Sequence, residues 1–155
     1  MAEADVKIEG FKELERALLS IADGEVADQI QRDALQAVVE VVQPELLAVT
    51  PERVEKGGKD ALPSGALKAA IRGRIRLPKN GEAATATVDF GKLDYIAHFV
   101  DWGHINPTAK NPNKLKHTPG TGFVRKTQDA TAAAAFEAYS TTLQAGIDAA
   151  LEGTK

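Results

Sequence analysis

The residues best suited to chemistry lie in one short stretch, YIAHFVDWGH, which runs from Tyr95 to His104. His98 and Asp101 are three residues apart, so a helix would place both on one face, where they could share a metal ion. His104 comes after a glycine, however, and the HExxH spacing of zinc enzymes is absent. We therefore expect ordinary histidines here, with no metal and no cofactor.

No known motif in the sequence identifies a nucleophile for covalent catalysis. Cysteine is absent, and the three serines lie in neither a GxSxG nor an SxxK pattern. The glycine-rich GTGF of residues 120–123 lacks the GxxxxGK[ST] and GxGxxG spacings that direct backbone amides at phosphate groups. We therefore expect that this protein is not an enzyme.

Arginines alternate along residues 72–76 and would line one face of a strand, where cations can contact a nucleic-acid backbone. The candidate residues for such contact, some in a later lysine-rich segment, are Arg72, Arg74, Arg76, Lys110, Lys114 and Lys116. No aromatic residue interleaves with the arginines to stack on bases, so we expect weak contact that is independent of base sequence. A solvated cationic face is the simpler alternative.

The net charge of −3 conceals a strong asymmetry along the chain. Residues 1–52 carry a net charge of −8, residues 53–79 a net charge of +6, and residues 80–155 a net charge of −1. Separated charges of this kind favour association between copies of the chain. An acidic helical surface and a basic loop that merely maintain solubility are the alternative.

Chain length and terminal composition predict one soluble domain over residues 1–155. The N-terminal MAEADVKIEG is acidic and lacks the apolar core of a signal peptide, and no apolar run reaches the length of a membrane span. We expect flexible loops at about residues 52–62 and 104–121, because both are rich in glycine, proline and charged or polar side chains.

Hydrophobic spacing predicts helices in both halves of the chain. The first predicted helix carries Phe11, Leu14, Leu18 and Ile21. A second follows Gly24, with Val26, Ile30, Ala34, Ala37, Val38 and Val41 on one side. Pro44 is expected to kink or interrupt this helix, because proline has no amide hydrogen and its ring clashes with the preceding turn. The sequence predicts a long final helix over residues 123–151, with a stripe of Phe136, Tyr139, Leu143, Ile147 and Leu151.

Residues 72–77 and 83–90 alternate between apolar and polar side chains on either side of PKNGE, whose Asn-Gly pair is typical of a hairpin turn. One helical turn is expected just before them, in the KAAI of residues 68–71. The fold class is therefore α+β, with a small antiparallel sheet containing a hairpin at about residues 72–90, packed with N-terminal helices and a long C-terminal helix.

Several separated segments resemble, in their order, the tail-completion or head–tail joining (neck) proteins of long-tailed bacteriophages. These segments are VKIEGFKELERALLSI, the TP at residues 50–51, SGALKAAI at 64–71, the hairpin, YIAHFVDWG at 95–103 and GFV at 122–124. The positions that match the family's short motifs are Gly10, Glu13, Leu14, Pro51, Ser64, Gly65, Leu67, Tyr95, Val100, Asp101, Gly103 and Phe123, with Asp101 in place of the family's glutamate.

The resemblance implies a structural virion protein, made in the host cytoplasm and incorporated into the neck or tail. It further implies a ring, expected to hold six copies, that contacts the head–tail connector or adaptor and the tail tube or terminator. We expect the subunit interface to include Tyr95, Phe99, Val100, Asp101, Trp102, Gly103 and Phe123, since aromatic residues are enriched at interface centres. Burial of the same rings in the core is the alternative. Two other functions remain open, a tail terminator that caps the tube and a small DNA-binding accessory protein.

Overall fold

The chain has an α+β fold in residues 24–52, 62–77, 84–106 and 116–152, which are the residues that a computed structural model describes. Its helices are α1 (Gly24–Val49), α2 (Ala66–Ala70), α3 (Asp94–Trp102) and α4 (Phe123–Glu152), with a short 3₁₀ turn at Gly91–Leu93. Its strands are β1 (Arg72–Arg76), β2 (Thr85–Asp89), β3 (Gly103–Asn106) and β4 (Lys116–Pro119), paired as β1 with β2 and β3 with β4. The predicted fold class is confirmed.

The two long helices, α1 and α4, pack against each other in antiparallel directions. Near one end, Gly146 of α4 lies so close to Ile30 that an added Cβ would be 2.9 Å from the Ile30 Cγ2 atom. At the other end, Leu46 of α1 and Phe123 of α4 belong to the same core cluster. These two helices are 26 and 30 residues long, and the smaller elements pack against them.

The face that α4 buries differs from the predicted stripe. Its buried residues are Phe123, Thr127 and Thr131, whereas Phe136 is 73% exposed and the rest of the stripe is only half-buried. The hydroxyl of Thr127 donates to the carbonyl oxygen of Phe123 at 3.0 Å, and that of Thr131 donates to the carbonyl oxygen of Thr127 at 2.8 Å. Because these hydroxyls are satisfied inside the helix, both threonines can be buried without an unpaired polar group.

The hairpin predicted at residues 72–90 is confirmed. Strands β1 and β2 pair antiparallel, with Arg72 opposite Asp89 and Ile75 opposite Ala86. One face of the hairpin packs on α1, where Gly73 approaches so closely that a Cβ would overlap the side chain of Val39. The arginine face of β1 therefore points away from α1, as the alternation of side chains in a strand requires.

Pro44 does not interrupt α1, which continues through it to Val49. That part of the prediction is wrong, because a proline exposed on a helix removes only one amide donor and the remaining turns still hydrogen-bond. The helix ends instead at Thr50, whose hydroxyl and amide both donate to the carbonyl oxygen of Leu46, at 2.5 Å and 3.0 Å. Thr50 precedes Pro51, which disfavours helical geometry in the residue before it.

Part of the loop predicted at residues 104–121 is an antiparallel strand pair. Gly103 lies opposite Pro119 and His104 lies opposite Thr118. The expectation of a loop was wrong here because four-residue strands are too short to show an alternating pattern. The loop predicted at 52–62, the helix predicted around Phe11 and the tip of this strand pair fall wholly or largely outside the described residues.

The core lies where the end of α1, α2, α3 and the start of α4 meet. Its buried members are Leu46, Leu67, Ile71, Phe90, Ala97 and Phe123. The rings of Phe90 and Phe123 meet edge to face, with centroids 5.8 Å apart, a favoured geometry for aromatic pairs. This cluster fixes α3 against the start of α4. Across the described ranges, none of the helices has the length and apolar character of a membrane span.

Candidate functional site

The outer surface of α3 carries an exposed aromatic stripe. Tyr95 is 63% exposed, Phe99 is 50% exposed and Trp102 is 75% exposed. With His98 they follow the i, i+3, i+4, i+7 spacing that places residues on one helical face. We call these four residues the α3 aromatic face. Opposite them, Ala97 is buried, so the apolar side that packs into the core is a different one.

The rings of two histidines, His98 and His104, pack on the aromatic rings of this face. The ring of His98 stacks on Trp102, with centroids 5.7 Å apart and planes inclined by 26°. The ring of His104, on β3, meets Phe99 edge to face at 6.0 Å. These two histidines thus take part in ring contacts, and the residues that the structure describes contain no group of three His, Cys, Asp or Glu side chains placed to hold a metal ion.

Asp101, expected at the subunit interface, makes its contact within the chain. Its Oδ1 atom accepts a hydrogen bond from the N–H of Val124 at 2.8 Å, and its carbonyl oxygen accepts one from the N–H of Gly122 at 3.0 Å. The N–H of Thr121 donates to the carbonyl oxygen of Val100 at 3.0 Å. The last turn of α3 is therefore tied to the first turn of α4, and the aromatic face is held rigidly relative to that helix.

Gly103 has a backbone role in the same junction. Its φ is +83°, a conformation that side-chain-bearing residues rarely adopt, and an added Cβ would lie 2.5 Å from the carbonyl oxygen of Thr118 and 2.6 Å from the nitrogen of Gly120. A glycine is needed here because β4 and the segment after it run directly over the end of α3.

Phe123 and Val100 do not belong to the exposed surface. Phe123 is 2% exposed and lies in the core, and Val100 is half-buried and packs against that core. The expectation that Phe123 contributes to a subunit interface is thereby corrected, because its ring fills the space between Phe90 and the helices around it. Tyr95, Phe99 and Trp102 remain the exposed part of the predicted set.

The residues that matched the family's motifs lie partly in the core and partly at the contact between Glu52 and Gly65. Leu67 is 1% exposed and sits at the centre of the core. Gly65, with φ of +80°, precedes α2, and its N–H donates to the carbonyl oxygen of Glu52 at 2.7 Å. Pro51 is half-buried beside this contact. Gly10 and Leu14 lie outside the described residues.

The arginine face of β1 is organised by a residue that the sequence did not single out. The Nε atom of Arg72 donates to Oδ1 of Asp89 at 3.2 Å, and the Nε atom of Arg74 donates to Oδ2 at 2.7 Å. Burial would raise the pKa of Asp89, but hydrogen bonds from Arg74, the Gly91 N–H and Arg72, with the positive charge of Arg74, hold that pKa below its ordinary value. Asp89 could have been found from the hairpin register, since it lies opposite Arg72.

The remaining predicted cations are less informative. Arg76 is exposed at the end of β1, and Lys116 begins β4. Lys110 and Lys114 are outside the described residues. The described part of the chain therefore supports one cationic cluster, on β1.

Comparison of this chain with protein-family models, with curated proteins and with solved structures found no match.

Proposed function

We propose that this protein is a structural, non-enzymatic subunit of a long-tailed phage virion. Copies of the chain form a ring, expected to be hexameric, at the head–tail interface, where the ring completes the tail or joins it to the capsid connector. Its partners are further copies of itself, the connector or adaptor, and the tail tube or tail terminator. The observation that carries this proposal is the α3 aromatic face, three large rings exposed on a helix whose other side is firmly packed.

Exposed aromatic rings on a rigid helix are typical of a surface that docks another protein. Burying apolar area stabilises association by about 25 cal/mol per Å², and Tyr, Trp and Phe are enriched at the centres of protein interfaces. The ties between Asp101, Gly122 and Val124 hold α3 in place before any partner arrives, so association costs little ordering of this surface. A single exposed leucine needs no explanation, whereas three rings on one helical face support an interaction site.

A closed ring requires two different surfaces on each subunit, because the contact between neighbours is head to tail. Phe136 of α4 is a large aromatic residue exposed on a different helix from the aromatic face. It lies thirteen positions after the start of α4 at Phe123, about 20 Å along the axis at 1.5 Å per residue. Phe136 is therefore our candidate for the second surface, which receives the α3 aromatic face of a neighbouring copy.

Disulfide trapping tests this pairing, because the natural chain has no cysteine. Tyr95→Cys and Phe136→Cys subunits, mixed under oxidising conditions, should form a cross-linked dimer more readily than either variant alone. Asp33→Cys, at an exposed position of α1, is the matched control and should not cross-link with Tyr95→Cys. Cross-linking at the same rate in all mixtures would reject the proposed pairing of surfaces.

The place in the virion is tested by electron microscopy of particles made without this protein. We expect filled heads without tails, or separate heads and tails, and we expect the wild-type chain supplied in trans to restore joined particles. The Trp102→Ala, Phe99→Ala double variant should restore them poorly although it folds. Normal joined particles in the absence of the protein would reject the neck or tail-completion role.

A further inference from the structure

We infer that Arg72 and Arg74 form an anion clamp that binds a phosphodiester group of a nucleic-acid backbone, with Asp89 as the residue that positions both guanidinium groups. The clamp lies on β1 of the hairpin, on a different surface from the α3 aromatic face. It does not depend on the proposed place in the virion.

The clamp begins with one carboxylate shared by two arginines. Asp89 has a side chain that is only 9% exposed, while the side chains of Arg72 and Arg74 are 53% and 58% exposed. Each oxygen of Asp89 takes a different arginine, and Oδ1 also accepts the N–H of Gly91 at 2.8 Å. A second donor of Arg74, Nη2, bonds to the same Oδ2 atom. The buried carboxylate is therefore held by the N–H of Gly91, and it fixes both guanidinium groups at the surface.

The turn after β2 provides space for this arrangement. Gly91 has φ of +55°, and an added Cβ would lie 2.5 Å from Nη2 and 2.7 Å from the central carbon of the Arg72 guanidinium. The guanidinium group thus lies over the glycine backbone, and a larger residue at position 91 would require it to shift. Because Asp89 already bonds both arginine side chains, binding a ligand would cost them less conformational entropy.

The donors that remain point to an anion as the ligand. A guanidinium has five N–H groups in a planar fork, and Asp89 occupies one from Arg72 and two from Arg74. Within the described residues, both Nη groups of Arg72 and the Nη1 group of Arg74 have no acceptor. Two cations against one carboxylate leave a local excess of one positive charge, and forked donors match phosphate oxygens.

The ligand class is a backbone phosphate and not a base. The exposed side chains beside the clamp on β1 and β2 are those of arginine and threonine, and Phe90, the aromatic residue next to Asp89 in the sequence, is buried in the core. Within the described residues the hairpin offers no aromatic platform on which bases could stack, so we expect the clamp to contact the backbone. One clamp per subunit is weak alone, and repetition around an assembly would raise the effective affinity.

Residue-resolved NMR of the wild-type chain provides the direct test. The Nε–H signals of Arg72 and Arg74 are followed during titration with a short DNA duplex, and separately with inorganic phosphate, while sodium chloride keeps the ionic strength constant. We expect saturable shifts at both signals with the duplex. Shifts with inorganic phosphate alone would mean a free-anion site and overturn the nucleic-acid assignment, and no shift with either ligand would overturn the clamp.

Variants separate a positioned clamp from simple charge attraction. Asp89→Asn makes the surface more positive, so unspecific attraction would strengthen duplex binding, whereas loss of positioning should weaken it by about 2- to 12-fold. Arg74→Lys keeps the positive charge but removes the forked N–H donors of the guanidinium group, so it should also weaken duplex binding. Because position 74 is exposed, this variant tests the clamp even if Asp89→Asn fails to fold. Lys92→Ala, which removes a nearby exposed charge outside the clamp, is the matched control. Equal or tighter binding by Asp89→Asn together with unchanged binding by Arg74→Lys would overturn the inference.

Discussion

The Oδ1 atom of Asp101 accepts a hydrogen bond from the N–H of Val124 at 2.8 Å, so a carboxylate from α3 caps the N-terminus of α4. The residue just before α4 is Gly122, which has no side chain with which to cap the helix itself. A carboxylate at this place also interacts favourably with the positive end of the helix dipole. The cap therefore comes from another helix, and it couples the position of the α3 aromatic face to that of α4.

Removal of this cap should lower stability without altering the core. We expect Asp101→Ala to reduce the free energy of unfolding by about 1 kcal/mol, since that is the usual effect of losing an N-cap side chain. Asp101→Asn is the matched control, because asparagine caps helices about as well as aspartate. Urea denaturation measures both, and equal losses in the two variants would show that charge matters here instead of the hydrogen bond.

Two glycines with positive φ should differ sharply in their tolerance of alanine. Gly122→Ala, where an added Cβ has no neighbour within 4 Å, should cost only the backbone strain of about 1–2 kcal/mol. Gly103→Ala carries a similar strain and also a Cβ 2.5 Å from the carbonyl oxygen of Thr118, so its loss in unfolding free energy should be clearly larger. Thermal and urea unfolding of the pair test this. Similar losses would mean that β4 can move away from Gly103.

Asp89 should make the stability of the fold depend on acidic pH. The folded-state pKa of Asp89 lies below the ordinary value of 3.8, so the unfolded chain takes up this proton first as the pH falls. The stabilisation is complete above 3.8 and is lost as the pH falls through the lower folded-state pKa. Wild type should therefore lose more stability below that pH than Asp89→Asn does, as measured by urea denaturation at a series of pH values. Parallel curves for the two proteins would contradict this.

Asp89→Asn should also be less stable than wild type at neutral pH. The substitution replaces a charged acceptor of several hydrogen bonds by a neutral amide, and hydrogen bonds to charged groups contribute about 1.5–3 kcal/mol. Since both arginines are more than half exposed and screened by solvent, we expect a loss near the lower end of that range. The measurement is the same denaturation series, read at neutral pH.

The core and the surface of α1 and α2 should respond differently to the same truncation. Leu67→Ala removes a side chain that is 1% exposed and should lower the unfolding free energy by about 2–5 kcal/mol, through lost burial and a residual cavity. Leu47→Ala, at an exposed position of α1, should change it by less than about 0.5 kcal/mol. A small effect of Leu67→Ala would show that the cluster around Phe90 and Phe123 closes over the gap.

Trp102 reports directly on the proposed interface, because it is the one tryptophan of the chain and is exposed in the free subunit. Its fluorescence should be that of a hydrated indole, readily quenched by iodide, in the separate chain. On assembly we expect a blue shift and protection from quenching, because the ring leaves water. Assembly that leaves both properties unchanged would place the α3 aromatic face outside the contacts between subunits.

Local patterns in the sequence were sufficient for the elements that local forces decide. The Asn-Gly turn with alternating flanks predicted the β1–β2 hairpin, and the alanine-rich periodic segment predicted α4. The same patterns failed where a residue's environment comes from distant parts of the chain. Pro44 was expected to kink or interrupt α1, which continues through it, and β3 and β4 were expected to be loop. Neighbouring residues alone do not determine a side chain's exposure or the pairing of a short strand.

The sequence by itself determined the fold class, the absence of cysteine chemistry and the aromatic content of residues 95–104. Only the tertiary structure decided which rings are core and which are surface: it buried Phe123 against Phe90 and left Trp102 exposed. It also paired Asp89 with two arginines and turned Asp101 towards α4. The physical reason is that a helix or strand sets only the spacing of side chains, while packing between elements selects which face is removed from water.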